Sequence, residues 1–201
     1  MKRLALHTIA TSWANSINRT ADKKDLDYTK MVLGIEILLH NIPKMILLVL
    51  ISAVLGILMQ TLITWLSFAI IRRYASGLHA KNSITCTIYT LAMFIVVPYA
   101  LRGVYIHLSI VILVFAFITL ALYRYAPADT KSRPILGKKK RALLKRKALI
   151  SCGFLLVLIA VPQFEAFRAL ITVGAVYAAM AVLPATYKLL GRSMKNYEQY
   201  E

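Results

Sequence analysis

His79 and Cys86 are the two residues of this chain whose types and surroundings best suit nucleophilic chemistry. They lie in RRYASGLHAKNSITC, residues 72–86, a polar stretch between long apolar runs. A thiolate can attack a carbonyl, and an imidazole can take the thiol proton and later return it to a leaving amine. The spacing constrains how they meet: seven residues on one continuous helix would separate them by two turns, about 10 Å. A helix break between them removes that obstacle. Asn82 and Ser83 are suitable N-cap residues ahead of the next apolar run, while Ser76 and Gly77 are expected to loosen the chain before His79. Cys86 then falls in the first turn of a helix, where unpaired amides and the positive end of the dipole stabilise a thiolate and a developing oxyanion. A packing thiol and a solvated histidine at a membrane edge are the plain alternative.

The elements that must position this pair are membrane elements. Of 201 residues, 59% are hydrophobic and only 16% are charged. The mean hydropathy is positive, so the composition is that of an integral membrane protein. A net charge of +17 would suggest nucleic acid in a soluble chain. In a membrane chain it instead raises the question of which loops hold the cations. Lys and Arg number 7 in residues 1–44, 3 in 72–81, 10 in 124–147 and 3 in 188–195, with one each at Arg102 and Arg168. Placing the four rich segments in the cytoplasm and the two poor ones outside satisfies the positive-inside rule. Nucleic acid is therefore not an expected partner.

That parity requires the apolar run 42–71 to enter the membrane and return, with a turn near Gln60. Further spans are expected at about 84–101, 106–123, 148–161 and 169–187. The fold class is thus an all-α polytopic bundle of six membrane segments, one pair of them short or re-entrant, with both termini and the 72–83 loop in the cytoplasm. One membrane-embedded domain covers 1–201, with 1–41 as an amphipathic N-terminal region and 124–147 as a basic loop. In the N-terminal region Ile9, Ala10, Trp13 and Ile17 recur at helical spacing, as in a helix lying at the membrane interface or packed on the protein's own core.

Other candidates carry two readings each. Arg72 and Arg73 are membrane-edge anchors or a clamp on a substrate carboxylate or carbonyl; one of each is expected. Glu36, near the first membrane crossing, needs a cation or histidine: it would orient His79 or pair with one of these arginines. Lys138, Lys139 and Lys140 set topology or attract an acidic ligand or anionic lipid. Asp129, in YAPADT, reads as a cap or turn residue at the end of a span. Cys152 lies mid-span with no base nearby and is expected to be an inert core thiol. Neither His40 nor His107 has reason to approach His79 and Cys86, so no metal site is expected, and no cofactor.

IRRYASGLHAKNSITC before an apolar span, YAPADTKSRPI opening a basic segment, and LGIEILLHNIPK at the first crossing together resemble the accessory gene regulator B (AgrB) family of membrane cysteine endopeptidases. The resemblance covers most of the chain in span order. It implies that Cys86 and His79 are the catalytic pair, that Arg72, Arg73, Gly77 and Ser83 belong to their surroundings, and that the N-terminal region and basic loop handle the substrate. The implied substrate is an AgrD-type precursor peptide with an amphipathic N-terminal part and an acidic C-terminal tail. The implied reaction removes that tail through an acyl-enzyme thioester and closes a thiolactone or lactone ring, without ATP. A homodimer is a further expectation. The competing class is a small transporter or exporter whose polar segment lines a substrate path; a noncatalytic assembly factor is a third.

Overall fold

The computed structural model describes residues 2–21, 25–78, 83–130, 135–194 and 196–199. Among them every extended element is a helix: α1 (Lys2–Ala21), α2 (Asp25–Val54), α3 (Leu58–Ala75), α4 (Ser83–Leu91), a π segment (Ala92–Val96), α5 (Val97–Ala100), α6 (Leu108–Tyr125), α7 (Lys138–Ala160), a 3-10 turn (Pro162–Phe167), α8 (Arg168–Met180), α9 (Pro184–Leu189) and a last 3-10 turn (Asn196–Gln199). The chain divides into two compact units, residues 1–54 and 55–201.

In the first unit α1 packs on α2. Ala10 and Ala14 are buried against Val32 and Ile35, and the Tyr28 hydroxyl donates to Asn15 Oδ1 at 2.5 Å. Ile9, Trp13 and Ile17, four residues apart, stay exposed. Small residues of this helix meet the protein, and large ones form an uncovered apolar stripe. Residues 25–54 form one helix of 30 residues that runs through Pro43.

The apolar run 42–71 does break, but at residues 55–57 rather than near Gln60. Gly56 takes a positive φ of 64°, a conformation that glycine adopts without a Cβ penalty. The Gly56 carbonyl, freed from the helix ladder, accepts from Arg102 Nη2 at 3.0 Å. Gln60 lies inside α3, since a polar side chain interrupts hydropathy without interrupting a helix.

The second unit is built on the crossing of α3 and α8. Thr61, Thr64, Ser67, Ile71 and Ala75 form the buried face of α3, and Ala169, Thr172, Gly174, Ala175 and Ala178 lie on that of α8. At Gly174 a Cβ would collide with the α3 backbone. Small residues on both sides let the backbones touch, the usual solution where lipid removes the hydrophobic drive between helices. α6 adds Val111, Phe115, Ile118 and Leu122 to this core, spaced to share one helix face. Its opposite face, with Leu113, Phe117 and Leu120, is exposed.

Two described helices are long and apolar enough to cross a membrane, Asp27–Val54 and Leu108–Tyr125. Lys138–Ala160 and Pro162–Met180 meet that test as a pair bent by 112°, and Thr85–Ala100 is a shorter apolar stretch. The basic segment 124–147 is not a loop throughout: Lys138 to Lys147 form the first turns of α7, so helix begins ten residues before the expected span at 148.

Candidate functional site

The chain leaves the helix before His79, at Ser76, Gly77 and Leu78. α3 ends at Ala75 and α4 begins at Ser83, which puts half-buried Cys86 in the first turn of α4. His79, Ala80, Lys81 and Asn82 lie outside the described residues, as does the side chain of Ser83. The chain is described up to Leu78, the residue next to His79, and that edge of the break is held from three directions.

The first hold is local. The Arg72 guanidinium reaches past the end of its own helix and donates to the carbonyls of Ser76 and Leu78. A planar fork with fixed N–H directions suits two carbonyls two residues apart better than a single ammonium would. The second comes from α8, whose Ala181 carbonyl accepts from the Leu78 amide at 3.1 Å. The third comes from YAPAD: the Ala128 amide donates to the Ala75 carbonyl at 3.0 Å, forming a single parallel bridge at Ser76. Two of the motif stretches are thus neighbours through their backbones.

Ser76 and Gly77 are therefore pinned, not loosened. Ser76 has a φ of 54° and Gly77 one of 110°. A Cβ at position 77 would collide with Arg72 Nη1 and the Ala181 carbonyl. Arg73 has a different environment: it is exposed, with its guanidinium 5.8 Å from the Tyr74 ring centroid.

The other edge of the break, α4, is held through its downstream π segment. Pro98 has no N–H, so it cannot donate to the carbonyls of Phe94 or Met93, the α and π acceptors one turn back. Those two oxygens receive side-chain donors instead: the Thr61 hydroxyl donates to Phe94 O at 2.9 Å and the Tyr177 hydroxyl to Met93 O at 3.3 Å. Phe94 also packs edge-on against Phe68 and Tyr177, with centroids at 5.3 and 5.8 Å. α3 and α8 therefore grip both the chain leading to the break and the helix leading away from it. Sequence reasoning missed Thr61 and Tyr177; the signal available was Pro98 inside an apolar span, which must leave a carbonyl in need of a donor.

Other expected site residues are placed as follows. Glu36 pairs with His7 of α1, so the histidine it meets among the described residues is His7. Cys152 is buried in the core, its Sγ 3.6 Å from the Thr119 hydroxyl. Asp129 does not cap its own helix: its carboxylate accepts from the backbone amides of Asn196 at 3.0 Å and Tyr197 at 2.9 Å, capping the last 3-10 turn. The Asp129 carbonyl accepts from the Tyr187 hydroxyl at 2.8 Å. Lys138, Lys139 and Lys140, expected as a set, are all exposed, but only Lys138 lines a cleft with Arg124, Arg141 and Lys145.

The family model described as accessory gene regulator B matches residues 10–183. The chain belongs to the accessory gene regulator B family. An AgrB-like protein of Listeria welshimeri is 40% identical over 174 residues, covering 87% of this chain and 85% of that protein. An AgrB-like protein of Clostridium acetobutylicum is 33% identical over 200 residues, covering 100% of this chain and 96% of its own. Accessory gene regulator protein B of Staphylococcus haemolyticus is 31% identical over 169 residues, covering 84% and 88%. No solved structure matches. AgrB membership associates the chain with accessory gene regulation.

Proposed function

We propose that this AgrB-family chain is a membrane cysteine endopeptidase that removes the C-terminal tail of an AgrD-like precursor peptide and promotes its cyclisation to an autoinducing thiolactone or lactone. The observation that carries the reading is Cys86 in the first turn of α4, directly beyond a break whose upstream edge is fixed at Leu78 by Arg72 and Ala181. His79 is the general base, a role resting on the motif it shares with the family. Its backbone neighbour is held in one place, which is what a base must have to meet a thiol repeatedly.

Cys86 gives its proton to His79, and its Sγ attacks the scissile carbonyl. As the tetrahedral intermediate collapses, the C–N bond breaks, His79 returns the proton to the leaving amine, and an acyl thioester remains. The peptide's own internal thiol or hydroxyl then attacks that thioester, releasing Cys86 and closing the ring. Thioester-to-thioester exchange is nearly balanced, so loss of the tail and release of the product draw it forward. Exclusion of water protects the intermediate from hydrolysis.

Arg72 and Gly77 act in this reading as positioning residues, while Arg73, exposed beside Tyr74, is free to meet substrate. Ser83 opens the helix that carries the nucleophile. Lys138, Lys139 and Lys140 attract the acidic tail, and Glu36 tethers α1 through His7. Six membrane segments, with both termini and the 72–83 loop in the cytoplasm of a bacterial cell membrane, agree with the sorting of cations, and a single catalytic domain or a homodimer agrees with the small size of the chain.

The test is mass spectrometry of the protein in lipid vesicles without ATP, incubated with precursor peptide beside Cys86→Ala. A Cys86-dependent adduct, a released C-terminal fragment and a cyclic product are expected. A verified cognate peptide that yields neither adduct nor fragment overturns the proposal in favour of the exporter reading.

A further inference from the structure

The C-terminal end of α6, the first two turns of α7 and the last 3-10 turn enclose a cleft of about 440 Å³. Among the described residues its lining carries four cations, Arg124, Lys138, Arg141 and Lys145, and one carboxylate, Asp129. The carboxylate offsets only one of them, leaving an excess of three positive charges, and its two oxygens are already occupied by the Asn196 and Tyr197 amides. Lys138, Arg141 and Lys145 recur at i, i+3 and i+7 on one face of α7, so the cleft gathers charge by helical geometry. Two of the cations also have aromatic partners: Arg141 lies 3.8 Å over the Tyr197 ring and Lys145 5.1 Å over Tyr123.

One edge of this cleft continues into hydrocarbon-compatible surface. Arg124, Leu120, Phe117 and Leu113 recur at helical spacing down one face of α6, and the three apolar residues are 59–65% exposed. A cationic cleft at the head of an uncovered apolar stripe fits a ligand that carries an anion on an acyl chain. A purely acidic peptide segment would use the cations and leave the stripe uncovered. We propose that this cleft binds the phosphate headgroup of an anionic phospholipid, with an acyl chain lying along Leu120, Phe117 and Leu113. The site contains neither Cys86 nor the segment pinned by Arg72, so lipid binding can be read separately from turnover, and it shares Lys138 with the tail-binding set.

Native mass spectrometry of the full chain released from micelles doped with phosphatidylglycerol or phosphatidylcholine tests it. Lys138→Gln with Lys145→Gln removes two cleft charges, and Lys139→Gln with Lys140→Gln removes the same charge beside the cleft. Each cation near a headgroup is worth about fivefold in affinity, so the cleft pair is expected to lose roughly 25-fold in phosphatidylglycerol adducts and the control pair at most about twofold. Phosphatidylcholine is expected to leave few adducts. Equal losses in both pairs would reduce the effect to general surface charge and overturn the proposal. Glycerol phosphate competing as well as the intact lipid would make the cleft a free-phosphate site and also overturn it. Displacement of the lipid by a short poly-glutamate peptide would assign the cleft to an acidic peptide instead.

Discussion

Gly56 and Gly77 both sit just past helix ends at positive φ, and each has an arginine donating to a nearby carbonyl, yet their surroundings are opposite. A Cβ at Gly56 would meet only Arg102 Nη2 at 3.7 Å, an ordinary contact. At Gly77 it would collide with both Arg72 and the Ala181 backbone. The exposed Arg102 makes one bond, to Gly56 O; the half-buried Arg72 makes two, which α8 and Ala128 reinforce. Positive φ by itself says only that the chain turns. The density of independent contacts says whether the turn must keep one shape, and the tightly held break is the one beside Cys86.

The comparison can be broken in order of expected effect. Gly77→Ala is expected to cost more than about 3 kcal/mol, because backbone strain, a collision with the Ala181 backbone and displacement of the Arg72 guanidinium add; it should sharply lower the thermal midpoint in detergent. A variant melting within a few degrees of the parent would show that the break is not held as described. Arg72→Lys comes next. Losing the fork costs about 2 kcal/mol, and displacement of the segment beside His79 is expected to lower peptide turnover by about a hundredfold. Turnover at the parent level would separate this arginine from the site.

Gly56→Ala is expected to cost only the left-handed backbone penalty, about 1–2 kcal/mol, with turnover preserved in the surviving folded protein. A loss as large as that at Gly77 would erase the distinction. Smallest is Arg102→Gln, which removes one exposed hydrogen bond worth at most about 1 kcal/mol. Its melting curve should nearly overlay that of the parent, and a large shift would mean that the 55–57 break depends on this contact after all.

Much of this was legible in sequence where the signal was local. Ser76–Gly77 marks the end of α3, Ser83 opens the next described helix, and Cys86 lies in that helix's first turn. The face of α1 carrying Ile9, Trp13 and Ile17 was likewise readable from its period. Gln60 misled because hydropathy registers polarity, whereas the break needs a backbone conformation that Gly56 supplies. The division of labour between Arg72 and Arg73 follows from helix phase: adjacent residues point about 100° apart, and only the packed helix says which direction faces the break. Asp129 was out of reach for another reason. Its amide partners lie 67 and 68 residues further along the chain, and no short-range pattern encodes a cap at that separation.

That separation has a consequence for biogenesis. Asp129 leaves the ribosome 67 residues before Asn196, which at bacterial or slower rates of synthesis is on the order of several seconds. Throughout that interval the wall of the basic cleft made by Met194 and Tyr197 does not yet exist, and α6 and α7 can insert before the last turn closes over them. The carboxylate that later secures this turn is solvated until then, so the C-terminal turn is the last wall of the cleft to form.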